Sequence, residues 1–391
     1  MSASIDAGQR YACPISRIGI IGGGQLGLMM ARAAKKLGCT CVVLDPLPAS
    51  PAGQAAGHQI VGDYSDPAKV RELAEATDII TFELEDIDVA PLLQLQEEGH
   101  QIQPAPDVLA TIQDKLLQKQ FLTAAGIPTS AFIETAEPDA QTFADFGYPL
   151  VQKARRGGYD GRGVAVMKSA ADFESHLPLP SLIEKFVEAD KEISVLVARN
   201  PNGECKAYPA VEMVFVKQQN ILDVLLAPAR IDEASAHAAE ELGIKTVEAL
   251  NGVGVFGVEM FLTKAGELLV NEVAPRTHNS GHQSIEANVT DQFEQHLRAI
   301  LGMPLGETRL LSPAAMVNLL GADGFAGRPV IRGMHETLAI AGVSLHFYGK
   351  AITKPFRKMG HATVIDQDIQ VAWDKAEQVK SLLAIEGEKQ L

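Results

Sequence analysis

The 391-residue chain is short of positive charge: 34 lysines and arginines face 49 aspartates and glutamates, a formal net charge of −15. Such a chain lacks the basic face that a phosphate backbone or an anionic bilayer attracts, so neither nucleic acid nor a membrane is expected as a partner. It has no apolar run near the ~18 residues that a spanning helix requires. Residues 1–16 carry neither the apolar core of a secretion signal nor a basic, serine-rich presequence, so the expected location is the cytoplasm. Cysteine is scarce. The four residues Cys13, Cys39, Cys41 and Cys205 form no C-x-x-C pair and are too few for a disulfide scaffold. Cys39 and Cys41 read instead as inert thiols buried along one strand. Internal repeats and low-complexity tracts are absent as well. What the chain does have is 46% hydrophobic residues, material for two or three domains at ~150 residues each, and 34 glycines and 21 prolines for many loops.

The order of patterns divides the chain. After a loose extension over 1–16, Arg17–Ile21, Cys41–Asp45 and Asp78–Phe82 read as strands. Helices over Leu28–Leu37 and Val70–Ala76 separate them, which implies βαβ units and a parallel sheet over 17–112. A helix is expected over Asp107–Ala125, stopped by Gly126 and Pro128. The texture then becomes α+β, with short antiparallel strands at Pro149–Lys153, Val164–Lys168, Ser181–Val187, Ile193–Ala198 and Ala207–Phe215. A helix follows over Ala234–Leu250. Residues 113–310 are taken as a second domain with a flap over about 128–190. Residues 311–391 are taken as a small β-rich domain ending in a helix over Val371–Ile385.

Two glycine loops carry chemistry. Gly22, Gly24 and Gly27 fit G-x-G-x-x-G between a strand and a helix, and Asp45 ends the next strand as a ribose-binding acid would. From this motif a nicotinamide dinucleotide, another phosphate ligand and a purely structural turn all stay open. The second loop, Gly157 to Gly163, joins two strands, so it is not a Walker A loop. It reads as a flap whose N–H groups fold over phosphates, with Lys153 as a point charge and Arg155, Arg156 and Arg162 nearby. Downstream, Glu184–Val187 could read an adenine through its backbone, and Glu192 could hold ribose hydroxyls.

The strongest feature is a pair of apolar strands, Val255–Phe261 and Leu268–Glu272, each interrupted by a carboxylate. Burying Glu259 and Glu272 is costly unless a cation joins them. A two-residue Ala265-Gly266 turn would set them opposite each other, and any even loop keeps them on one face, whereas an odd loop sends one to solvent. Oxygen ligands without cysteine or histidine point to Mg²⁺, with Asn271 as a neutral oxygen. Beyond lie Arg276, suited to a phosphate or carbonate, and His278 and His282, read as anion or substrate contacts rather than zinc ligands. Lys350, Lys354, Arg357 and Lys358 suggest a second anion site.

Together, Gly22–Gly27, Thr81–Glu85, Gln113–Lys119, Gly157–Gly163, Glu184–Val187, Asn271–His282 and Tyr348–His361 resemble the ATP-grasp superfamily. Within it, they resemble the N5-carboxyaminoimidazole ribonucleotide synthase family of purine biosynthesis. The resemblance implies an ATP-grasp fold, with a Rossmann-like domain before it and a β-rich domain after. It implies carboxylation of 5-aminoimidazole ribonucleotide with ATP and bicarbonate, through carboxyphosphate, and a homodimer. It would place ATP on Lys115, Lys153, Gly158, Tyr159, Asp160, Gly161, Arg162, Gly163, Glu184, Lys185, Phe186, Val187, Glu192, Asn271 and Glu272. Glu259 and Glu272 would hold Mg²⁺. Tyr159, Arg162, Arg276 and His278 would surround the reacting carbon. Gln25, Leu26, Glu83, Asp160, Lys350 and Arg357 would contact the ribonucleotide. Phe215 stands where the family often has an ATP-contacting histidine, and Thr277 where it has proline. A nicotinamide-dependent oxidoreductase built on the first glycine loop, another ATP-grasp ligase and a non-catalytic nucleotide-binding protein are the competing readings.

Overall fold

The computed structural model describes residues 15–157, 163–215 and 222–390. Most of the N-terminal extension, and Gly158, Tyr159, Asp160, Gly161 and Arg162 of the second glycine loop, lie outside the described residues. The chain forms two compact units that divide between Gln103 and Pro104, nine residues before the boundary expected from the sequence.

The first unit alternates β1 (Arg17–Ile21), α1 (Gln25–Lys36), β2 (Thr40–Asp45), α2 (Pro51–Ala56), β3 (Gln59–Val61), α3 (Pro67–Ala76), β4 (Ile79–Phe82) and α4 (Val89–Glu97). The strands form the expected parallel sheet, in the order β3-β2-β1-β4. Strands β1 and β4 are almost wholly buried, as continuous apolar runs in a helix-covered sheet should be. Asp66 and Asp88 cap α3 and α4 by accepting from the Ala68 and Ala90 N–H groups. Helix α1 begins three residues before the expected start. Its first turn has no cap from its own segment; Glu83, beyond β4, accepts from the Gly24 N–H and, at 2.7 Å, from the Gly27 N–H. Cys39 and Cys41 are buried free thiols, and burial pushes Cys41 up to about 12.

The second unit opens with α5 (Pro106–Gln113) and α6 (Lys115–Ala124). The single helix expected over Asp107–Ala125 is therefore two. Asp114 leaves the helical region (φ −103°, ψ 108°), and its carboxylate accepts from the Leu116 and Leu117 N–H groups at 3.0 and 3.4 Å. Arg155 Nη2 closes on the same carboxylate at 2.7 Å. Asp114→Ala is expected to cost about 1–2 kcal/mol through the cap alone. Thermal unfolding checks this; Asp114→Asn, which keeps a cap acceptor, should lose less.

Four strands then make an antiparallel sheet: β5 (Phe132–Thr135), β6 (Leu150–Ala154), β7 (Val164–Met167) and β8 (Ser181–Lys185), with α7 (Ala140–Phe146) inserted after β5. The order is β5-β8-β6-β7. Lys153 pairs with Val164 in the β6–β7 hairpin, so the second glycine loop does join two strands.

The large sheet begins with β9 (Ala189–Arg199), β10 (Cys205–Ala207), β11 (Val211–Phe215) and β12 (Leu222–Ala227). The strand expected over Ala207–Phe215 is thus interrupted at 208–210, where Tyr208 is buried and its hydroxyl donates to the Thr290 carbonyl. After α8 (Glu233–Ala249) come β13 (Gly254–Thr263), β14 (Leu268–Ala274), α9 (Ser284–Ala287), α10 (Gln292–Ile300) and β15 (Ala314–Leu320). The chain ends with β16 (Phe325–Arg332), α11 (Met334–Leu338), β17 (Val343–Phe347), β18 (Lys358–Ile365), α12 (Ile369–Leu382) and β19 (Ala384–Gln390). Helix α12 thus stops three residues early, and the chain finishes as a strand paired with β16. The sheet runs β14-β13-β9-β11-β12-β15-β18-β17, with β10 beside β9. Strands from the C-terminal third therefore extend the sheet that carries the Glu259–Glu272 hairpin. One core lies between α8 and strands β9, β13 and β14; another lies under α12. No helix among the described residues is long and apolar enough to cross a membrane.

Candidate active site

The hairpin β13–β14 sets Glu259 directly opposite Glu272, as expected, but by another route. Its turn is odd. Thr263 faces Glu267 across Lys264-Ala265-Gly266, and Gly266 takes φ +82°, which suits glycine in a three-residue turn. That turn alone would pair Glu259 with Asn271. A bulge between Glu259 and Met260 adds one residue to β14 and moves the pairing to Glu272. The bulge also brings Asn271 to the side of the cations: its Oδ1 accepts from Lys153 Nζ at 2.9 Å.

Three lysines converge beside this hairpin. Lys115 opens α6 and reaches Glu272 Oε2 at 2.9 Å. Lys119, one helical turn on and hence on the same face, is 2% exposed. Its Nζ lies 3.3 Å from Glu184 Oε2 and donates to Thr129 Oγ1, Ser130 Oγ and the Val270 carbonyl. Lys153 on β6 approaches the other Glu184 oxygen at 3.1 Å. Burial pushes the Glu184 carboxyl up, but Lys153 and Lys119 together outweigh it and hold it below its ordinary value. The Glu184 side chain therefore serves the lysines, and the backbone of 184–187 is left as the adenine-reading candidate. Lys185 is exposed and donates to the Gly147 carbonyl at 3.0 Å. The Phe186 N–H bonds Pro149, and Val187 lies in the segment between β8 and β9. Glu192 sits on β9 beside Phe261 of β13, and burial raises its carboxyl.

The pair Glu259 and Glu272 fits a cation. Burial raises the Glu259 carboxyl first, and the Glu272 and Glu192 charges raise it further, whereas Lys115 holds Glu272 down. Two oxygen donors on one face, one of them destabilised as an anion, suit Mg²⁺ completed by phosphate oxygens and water. Beside them, Gly257 lets the next loop approach: a Cβ there would lie 2.9 Å from the Cβ of His278. His278 Nε2 stands 3.5 Å from Glu259 Oε1, and its Nδ1 meets Ser280 Oγ at 2.8 Å. Ser280 in turn meets Ser194 Oγ at 2.8 Å. Arg276, two residues before His278, donates to the Thr277 carbonyl at 3.1 Å.

The structure thus brings together Lys115, Lys153, Glu184, Glu259, Asn271, Glu272 and His278. Lys119, Ser130, Ser194 and Ser280 join them unforeseen; only the four-residue spacing of Lys115 and Lys119 signalled any of them. Two cations credited to the flap are otherwise engaged: Arg155 binds Asp114 and Glu134, and Arg156 lies 3.6 Å from Asp114. Lys350 and Arg357 lie between β17 and β18, or just before β18. Lys350 donates to the Lys358 carbonyl at 2.8 Å and Arg357 to that of Ile352 at 2.6 Å. His282, expected as an anion or substrate contact, is instead 1% exposed, with its ring packed 4.6 Å from that of His361 and its Nδ1 against Gln292 Nε2.

Within the first unit, Gln25 and Leu26 open α1, and the Gly22, Gly23 and Gly24 N–H groups before them are engaged by the chain itself. The Gly23 N–H goes to Asp45 Oδ2 at 2.7 Å, and Asp45 Oδ1 accepts from Leu47. With Asp45 so occupied and Glu83 at the helix start, the dinucleotide reading loses both its ribose acid and its phosphate seat.

An antiparallel second unit with a glycine-rich connection between β6 and β7, converging lysines and a two-carboxylate hairpin defines an ATP-grasp protein. Family models agree: the ribonucleotide synthetase preATP-grasp domain matches residues 15–113, the ATP-grasp domain 120–293, and the phosphoribosylaminoimidazole carboxylase C-terminal domain 314–375. The chain belongs to the N5-carboxyaminoimidazole ribonucleotide synthase family. It is 40% identical over 380 residues to the synthase of Synechococcus elongatus, covering 95% of this chain and 94% of that one. The crystal structure of the Thermotoga maritima synthetase is 50% identical, with a TM-score of 0.89, covering 95% of this chain and 100% of that one. The Aspergillus clavatus synthase in complex with ADP and 5-aminoimidazole ribonucleotide is 33% identical, with a TM-score of 0.86, covering 94% of this chain and 98% of that one.

Proposed function

We propose that this protein carboxylates the amine of 5-aminoimidazole ribonucleotide with ATP and bicarbonate, giving N5-carboxyaminoimidazole ribonucleotide, ADP and phosphate. The observation that carries it is the convergence of Lys115, Lys153, Asn271 and the Glu259–Glu272 pair on one side of the hairpin. Mg²⁺ as the cation, homodimer assembly and a cytoplasmic location belong to the same proposal.

A bicarbonate oxygen attacks the γ-phosphorus, ADP leaves and carboxyphosphate forms. The amine nitrogen then attacks its carbon, phosphate leaves and the nitrogen loses a proton. Lys153, steadied by Glu184 and Asn271, is placed to neutralise the transferring phosphoryl group, and Lys115 a neighbouring phosphate. Glu259 and Glu272 would hold a Mg²⁺, which would further neutralise the phosphate oxygens. Arg276 and His278 are proposed for the bicarbonate-derived group, together with Tyr159 and Arg162. Lys350 and Arg357 are proposed as ribonucleotide contacts, as are Gln25, Leu26 and Glu83 for their own unit. Carboxyphosphate hydrolyses readily, so the glycine flap serves to exclude water.

The test is ADP release with Mg²⁺-ATP and bicarbonate, with and without 5-aminoimidazole ribonucleotide. Strong stimulation by the ribonucleotide is expected. Release that ignores it would leave an ATP-grasp scaffold acting on another amine, or none.

A further inference from the structure

We propose that Gln292 is a positioning residue for His278, acting through a two-point grip on its backbone. The proposal rests on the reading of His278 as a group beside the reacting carbon. Gln292 opens α10 and is fully buried. Its Oε1 accepts from the His278 N–H at 2.8 Å, and its Nε2 donates to the His278 carbonyl at 2.7 Å. The second Nε2 hydrogen points to His282 Nδ1 at 3.2 Å. One side chain thus engages both backbone groups of His278, whose carbonyl also accepts from the Gly281 N–H at 3.0 Å, and reaches the residue four further on. The amide cannot turn over, because a flip would set two oxygens 2.7 Å apart. Its own backbone is held too: the Gln292 N–H donates to Ser284 Oγ at 3.0 Å, and that hydroxyl donates to the Gly281 carbonyl.

With φ and ψ of His278 clamped, only the ring torsions remain, and Ser280 engages the ring at Nδ1. That leaves Nε2 aimed at Glu259. The sequence gives little notice of this, since Gln292 is fourteen residues away and reads as the first turn of an ordinary helix.

The experiment uses the full chain and two variants. Gln292→Met keeps length and apolar bulk but loses all three bonds. Gln292→Glu keeps the acceptor for the His278 N–H and sets a carboxylate oxygen against the His278 carbonyl. Ribonucleotide-dependent kcat, KM for ATP and Tm are read together. A drop in kcat on the order of 10²-fold is expected in Gln292→Met, since misplacement by about 1 Å costs that much, with KM for ATP changed by less than about twofold. A general loss of structure would move KM and Tm together with kcat. Folded variants with kcat within about threefold of the parent overturn the proposal. If the parent itself shows no ribonucleotide-dependent turnover, the functional reading fails. The grip is then read from the ring cross-peak of His278 in ¹⁵N-histidine spectra, assigned with His278→Asn: a displaced peak in Gln292→Met supports it, and an unmoved peak overturns it.

Discussion

Glu272→Gln is expected to leave the chain folded and to lower Mg²⁺-dependent turnover by roughly 10²–10³-fold, the usual loss on deleting one preorganised electrostatic group. Glu272 faces Glu259 across the hairpin and takes the Lys115 ammonium at 2.9 Å. The amide keeps the volume and one acceptor oxygen, so packing is nearly unchanged. It relieves the repulsion with Glu259 but removes the charged partner of Lys115, so the two effects on Tm oppose each other and the net change should be small. Turnover measured against Mg²⁺ concentration separates two roles. If Glu272 is a metal ligand, raising Mg²⁺ recovers part of the rate. If it serves only as the partner of Lys115, the loss is the same at every Mg²⁺ concentration. Activity within about threefold of the parent at saturating Mg²⁺ would remove Glu272 from the metal site.

The pairing of Glu259 with Glu272 was legible because a carboxylate inside an apolar strand is expensive, and two of them in consecutive strands ask for a shared cation. The route to that pairing was not legible. The three-residue turn and the bulge at Asn271 offset each other, and a bulge has no compositional mark. The break at Asp114 had a local signal, an aspartate before a helix. It was masked because apolar residues recur from Leu109 through Leu116 to Leu122 at helical spacing across it. Contacts distant in sequence were the least legible. Glu83 caps α1 from fifty-six residues beyond Gly27, and Glu184 meets Lys119 across sixty-five. The flap shows the converse error. Counting basic residues near Gly157–Gly163 gave a phosphate cluster, but a count cannot see that Arg155 is spent on Asp114 and Glu134.

Glu184→Leu should be the most damaging single change to stability, because it strands a buried charge. Glu184 is 2% exposed and lies between Lys119 and Lys153, with Ser130 Oγ donating to it at 2.7 Å. Lys153 retains Asn271, but Lys119 retains only hydroxyls and a carbonyl. Removing one partner of a buried pair costs about 3–5 kcal/mol. At ~2–4 °C per kcal/mol, that lowers Tm by roughly 6–20 °C. Lys119 can escape by losing its proton. Burial already pulls it down from 10.5 to about 8 against the attraction of Glu184, and without Glu184 it falls further. A lysine with a depressed pKa in the folded chain binds fewer protons there than when unfolded, so stability rises with pH between the folded pKa and 10.5. The Tm deficit of Glu184→Leu should therefore narrow from pH 7 to about pH 8, where Lys119 of the parent also begins to lose its proton, and then stay level. Lys119→Met combined with Glu184→Leu should recover most of it at pH 7, since replacing both partners by apolar side chains of similar volume is often neutral. A double variant no more stable than Glu184→Leu would mean that the damage comes from packing around β8 and not from the orphaned ammonium.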